Sequence, residues 1–146
     1  MGTLLFCSSC DKNQLYEKNL EIAKDTWFTT DVKTFAVMID DTLVPYRFYI
    51  NVRHANWYPF NNLWVRFSAT CPDGTTSEEK LQLKLSNDDQ TGWLGDGLGD
   101  IYDLRCPVTP KIRREKGKYV FQIQQVMRQD PLPGLMAVGL RVEKVR

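Results

Sequence analysis

His54 is the only histidine in the chain, so any mechanism that needs an imidazole as general base must run through it. No nucleophile motif accompanies it, and its neighbours Arg53 and Asn56 mark the end of an alternating segment and the start of a turn. A lone histidine there reads as a hydrogen-bonding or surface residue. Asp96, Asp100 and Asp103 fall within a glycine-rich run, Gly92-Trp93-Leu94-Gly95-Asp96-Gly97-Leu98-Gly99-Asp100-Ile101-Tyr102-Asp103, and invite a calcium reading. Calcium loops space their oxygens more regularly and often add a bidentate Glu, neither of which this run supplies. A phosphate cradle would need a helix after the glycines, and no helical period follows. The run reads instead as a crossover between two sheets with Trp93, Leu94 and Leu98 turned inward. No catalytic residue, metal site or cofactor is expected.

Sulfur chemistry is the second possibility. Cys7 and Cys10 form one close pair, but Cys71 and Cys106 each stand alone before a proline, so the two pairs of a zinc ribbon are missing. Cys71 and Cys106 are a candidate disulfide in an exported protein, or two buried free thiols; spacing alone does not choose between them. Cys10 has a different character. Apolar residues, then the small Ser8 and Ser9, then cysteine resemble the lipobox of bacterial lipoproteins, in which Cys10 would take the lipids and become the mature N-terminus. The competing reading is a buried first strand carrying two thiols. The expected organisation is a signal remnant over residues 1–9, a lipidated tether over 10–25 and one folded domain over 26–146.

The elements that would carry these residues are strands. Phe48, Ile50 and Val52 alternate with Arg47, Tyr49, Asn51 and Arg53; Leu63, Val65, Phe67 and Ala69 alternate with Trp64, Arg66, Ser68 and Thr70. The period of two gives each segment one apolar face, and the Tyr58-Pro59-Phe60-Asn61-Asn62 linker makes the two read as a hairpin at the centre of the core. Further strands are expected over Asp31–Ile39, around Leu81, Leu83 and Leu85, through Tyr119, Phe121 and Ile123, and through Met136, Val138, Leu140 and Val142. About seven to nine short antiparallel strands with turn signals between them predict an all-β sandwich, jelly-roll or immunoglobulin-like.

At 146 residues the chain is long enough to bury roughly two thirds of its unfolded surface in one core. Nineteen Lys and Arg balance eighteen Asp and Glu, and a net charge of +1 gives no broad attraction to nucleic acid. No run approaches the roughly 18 apolar residues of a membrane-spanning helix. A basic group, Lys111, Arg113, Arg114, Lys116 and Lys118, offers a local positive patch. Aromatic residues make up 12% of the chain, and Trp57, Tyr58, Phe60, Trp64 and Trp93 are a candidate interaction surface for a protein or, as an alternative function, for a glycan in a carbohydrate-binding module.

Taken together, these motifs resemble the GldH family of gliding-motility lipoproteins. The residues that carry the resemblance are Cys10, Trp27, Asn51-Val52-Arg53, Tyr58-Pro59-Phe60-Asn61-Asn62-Leu63, Pro72-Asp73-Gly74, Trp93 through Ile101, Gly117-Lys118-Tyr119, Met127-Arg128, Leu132-Pro133-Gly134 and Val138 through Lys144. The resemblance implies an exported, non-enzymatic protein held in the bacterial cell envelope by a lipid at Cys10, at the outer membrane facing the periplasm. It further implies service to gliding and to a linked secretion system, other machinery proteins as partners, and no cofactor.

Overall fold

The computed structural model describes residues 14–87 and 92–145. The signal remnant, the lipidation site Cys10 and part of the polar loop after Asn87 lie outside the described residues. Eleven strands follow one another among those described: β1 (Gln14–Glu21), β2 (Thr26–Trp27), β3 (Lys33–Ile39), β4 (Tyr46–Ala55), β5 (Asn62–Thr70), β6 (Thr76–Lys84), β7 (Asp96–Leu98), β8 (Ile101–Val108), β9 (Gly117–Gln125), β10 (Leu132–Pro133) and β11 (Leu135–Lys144). They build a five-stranded sheet in the order β1-β11-β4-β8-β7 and a four-stranded sheet in the order β3-β9-β5-β6; β2 and β10 pair separately. All pairings are antiparallel.

The eight longer strands are nested. β1 pairs with β11, β3 with β9, β4 with β8 and β5 with β6, as though one long hairpin had been rolled up on itself. That arrangement is a jelly roll, one of the two sandwich types the strand pattern allowed. The alternation sets which side chains meet in the middle. Phe48, Ile50 and Val52 of β4 and Val138, Leu140 and Val142 of β11 face Phe35, Val37, Leu63, Val65, Phe67, Phe121 and Ile123 of the opposite sheet, all of them buried. Phe48 and Phe121 bridge the two layers with ring centroids 5.5 Å apart.

Three expectations need correction. β4 and β5 do not form a hairpin: they belong to different sheets, and the linker between them crosses the end of the sandwich. Both apolar rows do face one core, but from opposite sides, because alternation specifies the buried face and not the hydrogen-bonded neighbour. The residues from Gln14 to Glu21, expected to be part of the tether, are β1, paired along its length with β11. Its period is weak because an edge strand buries only part of each side chain: Leu15, Tyr16, Glu17 and Leu20 are half-buried. Leu98, expected inside, is 86% exposed, because β7 is a short edge strand at the rim.

Both ends of the sandwich are closed by specific bonds. At one end Trp27 is fully buried, its Nε1 donating to the Asp31 carbonyl at 2.7 Å, and the amide of buried Gln125 donates to the Trp27 carbonyl at 3.2 Å. At the other end the Tyr119 hydroxyl accepts the Glu115 N–H at 2.8 Å and donates to the Arg113 carbonyl at 2.5 Å, pinning the basic β8–β9 loop against the core.

Candidate functional site

Two sites deserve chemical description, and both grow from the five-stranded sheet. The first surrounds His54, which β4 places on the inner face at the end of its apolar row, opposite Tyr102 on β8. Its side chain is fully buried. Trp93 meets it edge-on with centroids 4.4 Å apart, Tyr102 stacks against it at 5.8 Å, and Tyr58 lies tilted at 5.8 Å. Nδ1 lies 2.9 Å from the Ala55 carbonyl and donates to it, while Nε2 is shut from solvent with no hydrogen-bond partner among the described residues. Burial is the largest influence on this ring and pushes its pKa below the ordinary value of 6.5, against smaller upward pulls from Ala55 and Asp103. The site holds a neutral imidazole as a packing element.

This cluster takes three of the five aromatic residues singled out in the sequence. Tyr58 is a core residue, its hydroxyl donating to the Asn62 carbonyl at 2.8 Å, and burial raises its pKa; Phe60 and Trp93 are half-buried beside it. Trp57 stands apart on the surface, 59% exposed. Trp64 lies on the outer face of the other sheet, with the Lys80 ammonium 5.3 Å above its ring. The five therefore do not make one surface. Cys71 and Cys106 are both buried free thiols, and burial pushes the Cys106 thiol up to about 12. Among the acids of the glycine-rich run, Asp103 is held bidentate by Arg53 at 2.8 and 3.1 Å, and Asp100 accepts from the Asn56 amide at 3.1 Å. No group of three or more His, Cys, Asp or Glu able to hold a metal occurs among the described residues.

The second site lies on the outer face of the same sheet and was not foreseen. Alternation along β11 turns Ala137, Gly139 and Arg141 outward, where a strand side chain is ordinarily washed by water. Arg141 is nevertheless only 2% exposed. Its Nη1 donates to Glu17 Oε1 at 2.8 Å and Gln14 Oε1 at 3.1 Å, and its Nε donates to Glu143 Oε2 at 2.7 Å. Glu17 also accepts from Asn51 at 2.8 Å and from Arg105 at 3.4 Å, and Arg105 lies 5.9 Å over the Tyr49 ring. Gly139 makes the arrangement sterically feasible: a Cβ there would collide with Asn19 Oδ1 and the Lys18 carbonyl. Beside Ala137 of β11 lies a trough of about 670 Å3 lined by Glu17, Asn19, Asn51, Arg53, Asp103 and Arg105 among others. A buried guanidinium with two carboxylates costs desolvation and returns a fixed geometry. The trough presents polar and charged groups suited to contact with another polar surface. The only sequence signal for it was an arginine on the polar side of an alternating strand, two residues after a glycine.

Residues 14–142 match the GldH lipoprotein family. A gliding motility lipoprotein GldH of Flavobacterium johnsoniae is 31% identical over 97% of this chain and 90% of its own length. A gliding motility lipoprotein GldH homolog of Christiangramia forsetii is 29% identical over 97% of this chain and 91% of its own length.

Proposed function

Because this chain belongs to the GldH lipoprotein family, we propose that it is a non-enzymatic, lipid-anchored component of the cell envelope that serves gliding motility and the protein secretion linked to it. The anchor is Cys10, in an outer membrane with the folded body facing the periplasm. The body works by docking onto other envelope proteins, with the outer trough and the exposed Trp57 as its contact points. One observation carries the reading: the family match runs from Gln14, where the first strand begins four residues beyond the lipobox-like cysteine, to Val142 in the last strand. The non-enzymatic part is supported by the sealing of the single imidazole among aromatic rings. Several acyl chains on one cysteine hold a membrane firmly where a single chain binds only marginally, so the anchor requires full processing.

The test is complementation in the native host lacking the gene, with the wild-type chain and with Cys10→Ala, while cells are fed a radiolabelled fatty acid. Wild type should take up label and restore spreading and secretion; Cys10→Ala should do neither. An unlabelled wild type would remove the anchor. A second reading, glycan binding, is favoured by the Asn, Asp, Glu and Arg side chains in the trough, which suit sugar hydroxyls. Glycan binding abolished by Arg105→Ala would support it, and the absence of any such binding would exclude it.

A further inference from the structure

At the end of the sandwich where β1 begins, an open cleft of about 400 Å3 lies between the layers. Its walls include Ile39, Phe48, Val108 and Ile112, and Arg47 and Arg114 border it. The strand register fixes how near it is to the tether. Gln14 pairs with Glu143, and Glu143 pairs with Arg47, so the first strand enters two strands away from the cleft's edge. At roughly 4.8 Å per strand, β1 lies about 14 Å from β8, and the four residues back to Cys10 reach about 13 Å when extended. A lipid at Cys10 would therefore hold this end, and not the aromatic end, against the bilayer.

We propose that this cleft is a binding site for an anionic phospholipid of the membrane to which the protein is tethered. The apolar wall takes an acyl chain, and Arg47 and Arg114 meet the phosphate. Arg47, Arg114 and the neighbouring lysines outnumber the Asp40 and Asp41 carboxylates that act on Tyr46 in the cleft wall, and this balance favours a phospholipid over the protein's own acyl groups, which bring no anion. Arg47 is exposed, and among the described residues Arg114 makes a long contact, 3.5 Å, to the Thr42 carbonyl, so both guanidiniums can turn toward a headgroup. Lys111, Lys116 and Lys118 add positive charge on the same loop and strand, where the Tyr119 hydroxyl already holds the loop in place. Exposed Leu43, on the β3–β4 loop at this end, is 90% accessible and suited to the headgroup boundary. The site would orient the jelly roll, leaving Trp57 and the His54 end pointing away from the lipid.

The proposal rests on membrane tethering, and its test separates the two. The full chain carrying Cys10→Ala, which bears no lipid of its own, is sedimented with vesicles of phosphatidylcholine and with vesicles containing phosphatidylglycerol. Binding should prefer phosphatidylglycerol, and Arg47→Gln with Arg114→Gln should weaken it roughly thirtyfold, at about fivefold for each cation near the surface. Inorganic phosphate should not compete. Equal binding to both vesicles, an unchanged double variant, or displacement by phosphate alone would each overturn the site. None of these results bears on fatty-acid labelling at Cys10, so the anchor can stand while the cleft falls.

Discussion

Arg141 offers the sharpest energetic test of the folded body. Its side chain is 3% exposed, and the Glu17 and Glu143 carboxylates that hold it are 21% and 18% exposed. Arg141→Met keeps most of the apolar length and removes the charge, leaving Glu17 and Glu143 without the guanidinium they share, although Glu17 keeps Asn51 and Arg105. Breaking a buried pair costs roughly 3–5 kcal/mol, and the partial exposure of both acids places this case near the low end, about 3 kcal/mol. For a domain of this size each kcal/mol moves the melting temperature by about 2–4 °C, so Tm should fall by roughly 6–12 °C. The loss comes mainly from the stranded acids, so it should be non-additive: adding Glu17→Gln and Glu143→Gln to Arg141→Met should recover most of it. Urea titrations of the wild type, the single and the triple variant measure both quantities. A loss under about 0.5 kcal/mol, the range of ordinary surface changes, or a triple variant no more stable than the single one, would refute the reasoning.

Other consequences follow from the same contacts. Because the folded state holds His54 below its ordinary pKa, stability should decline as pH falls through about 6.5 and level off once pH passes the lower folded-state value; melting curves of wild type and His54→Phe across this range should differ by that step. Gly139→Ala pushes a methyl group into Asn19 and the Lys18 backbone, so it should cost about 1–3 kcal/mol and raise amide exchange along β1 first. In a chain with Cys7 and Cys10 replaced by Ala, Cys71 and Cys106 should resist an aqueous disulfide reagent while folded and both react after unfolding without reductant; no reaction after unfolding would mean that the two are bonded to each other.

Much of this architecture was legible because strands with one buried face announce themselves by a period of two. Phe35, Val37 and Ile39, Leu63 through Ala69, Tyr119 through Ile123 and Val138 through Val142 all fall on the side their alternation assigns. Partnership was not legible in the same way. β4 and β5 are adjacent in sequence and equally patterned, yet the rolled hairpin gives β4 to β11 and β8, and β5 to β9 and β6. Apart from the local β5–β6 hairpin, those choices depend on contacts between residues 46 to 98 positions apart, which no local pattern records. β1 was missed because an edge strand carries a diluted signal. The buried Arg141 was missed for a different reason: alternation places it correctly outside, where Glu17 and Gln14 of the neighbouring β1 and Glu143 of its own strand bond it.

The claim that matters most is that the jelly roll is carried on a lipid at its mature front end. Intact-mass and N-terminal peptide measurement of the protein purified from native membranes tests it directly. The account predicts a chain that begins at Cys10 and bears diacylglyceryl and acyl mass on that residue. A chain in which residues before Cys10 remain attached, or in which Cys10 carries no added mass, would contradict it.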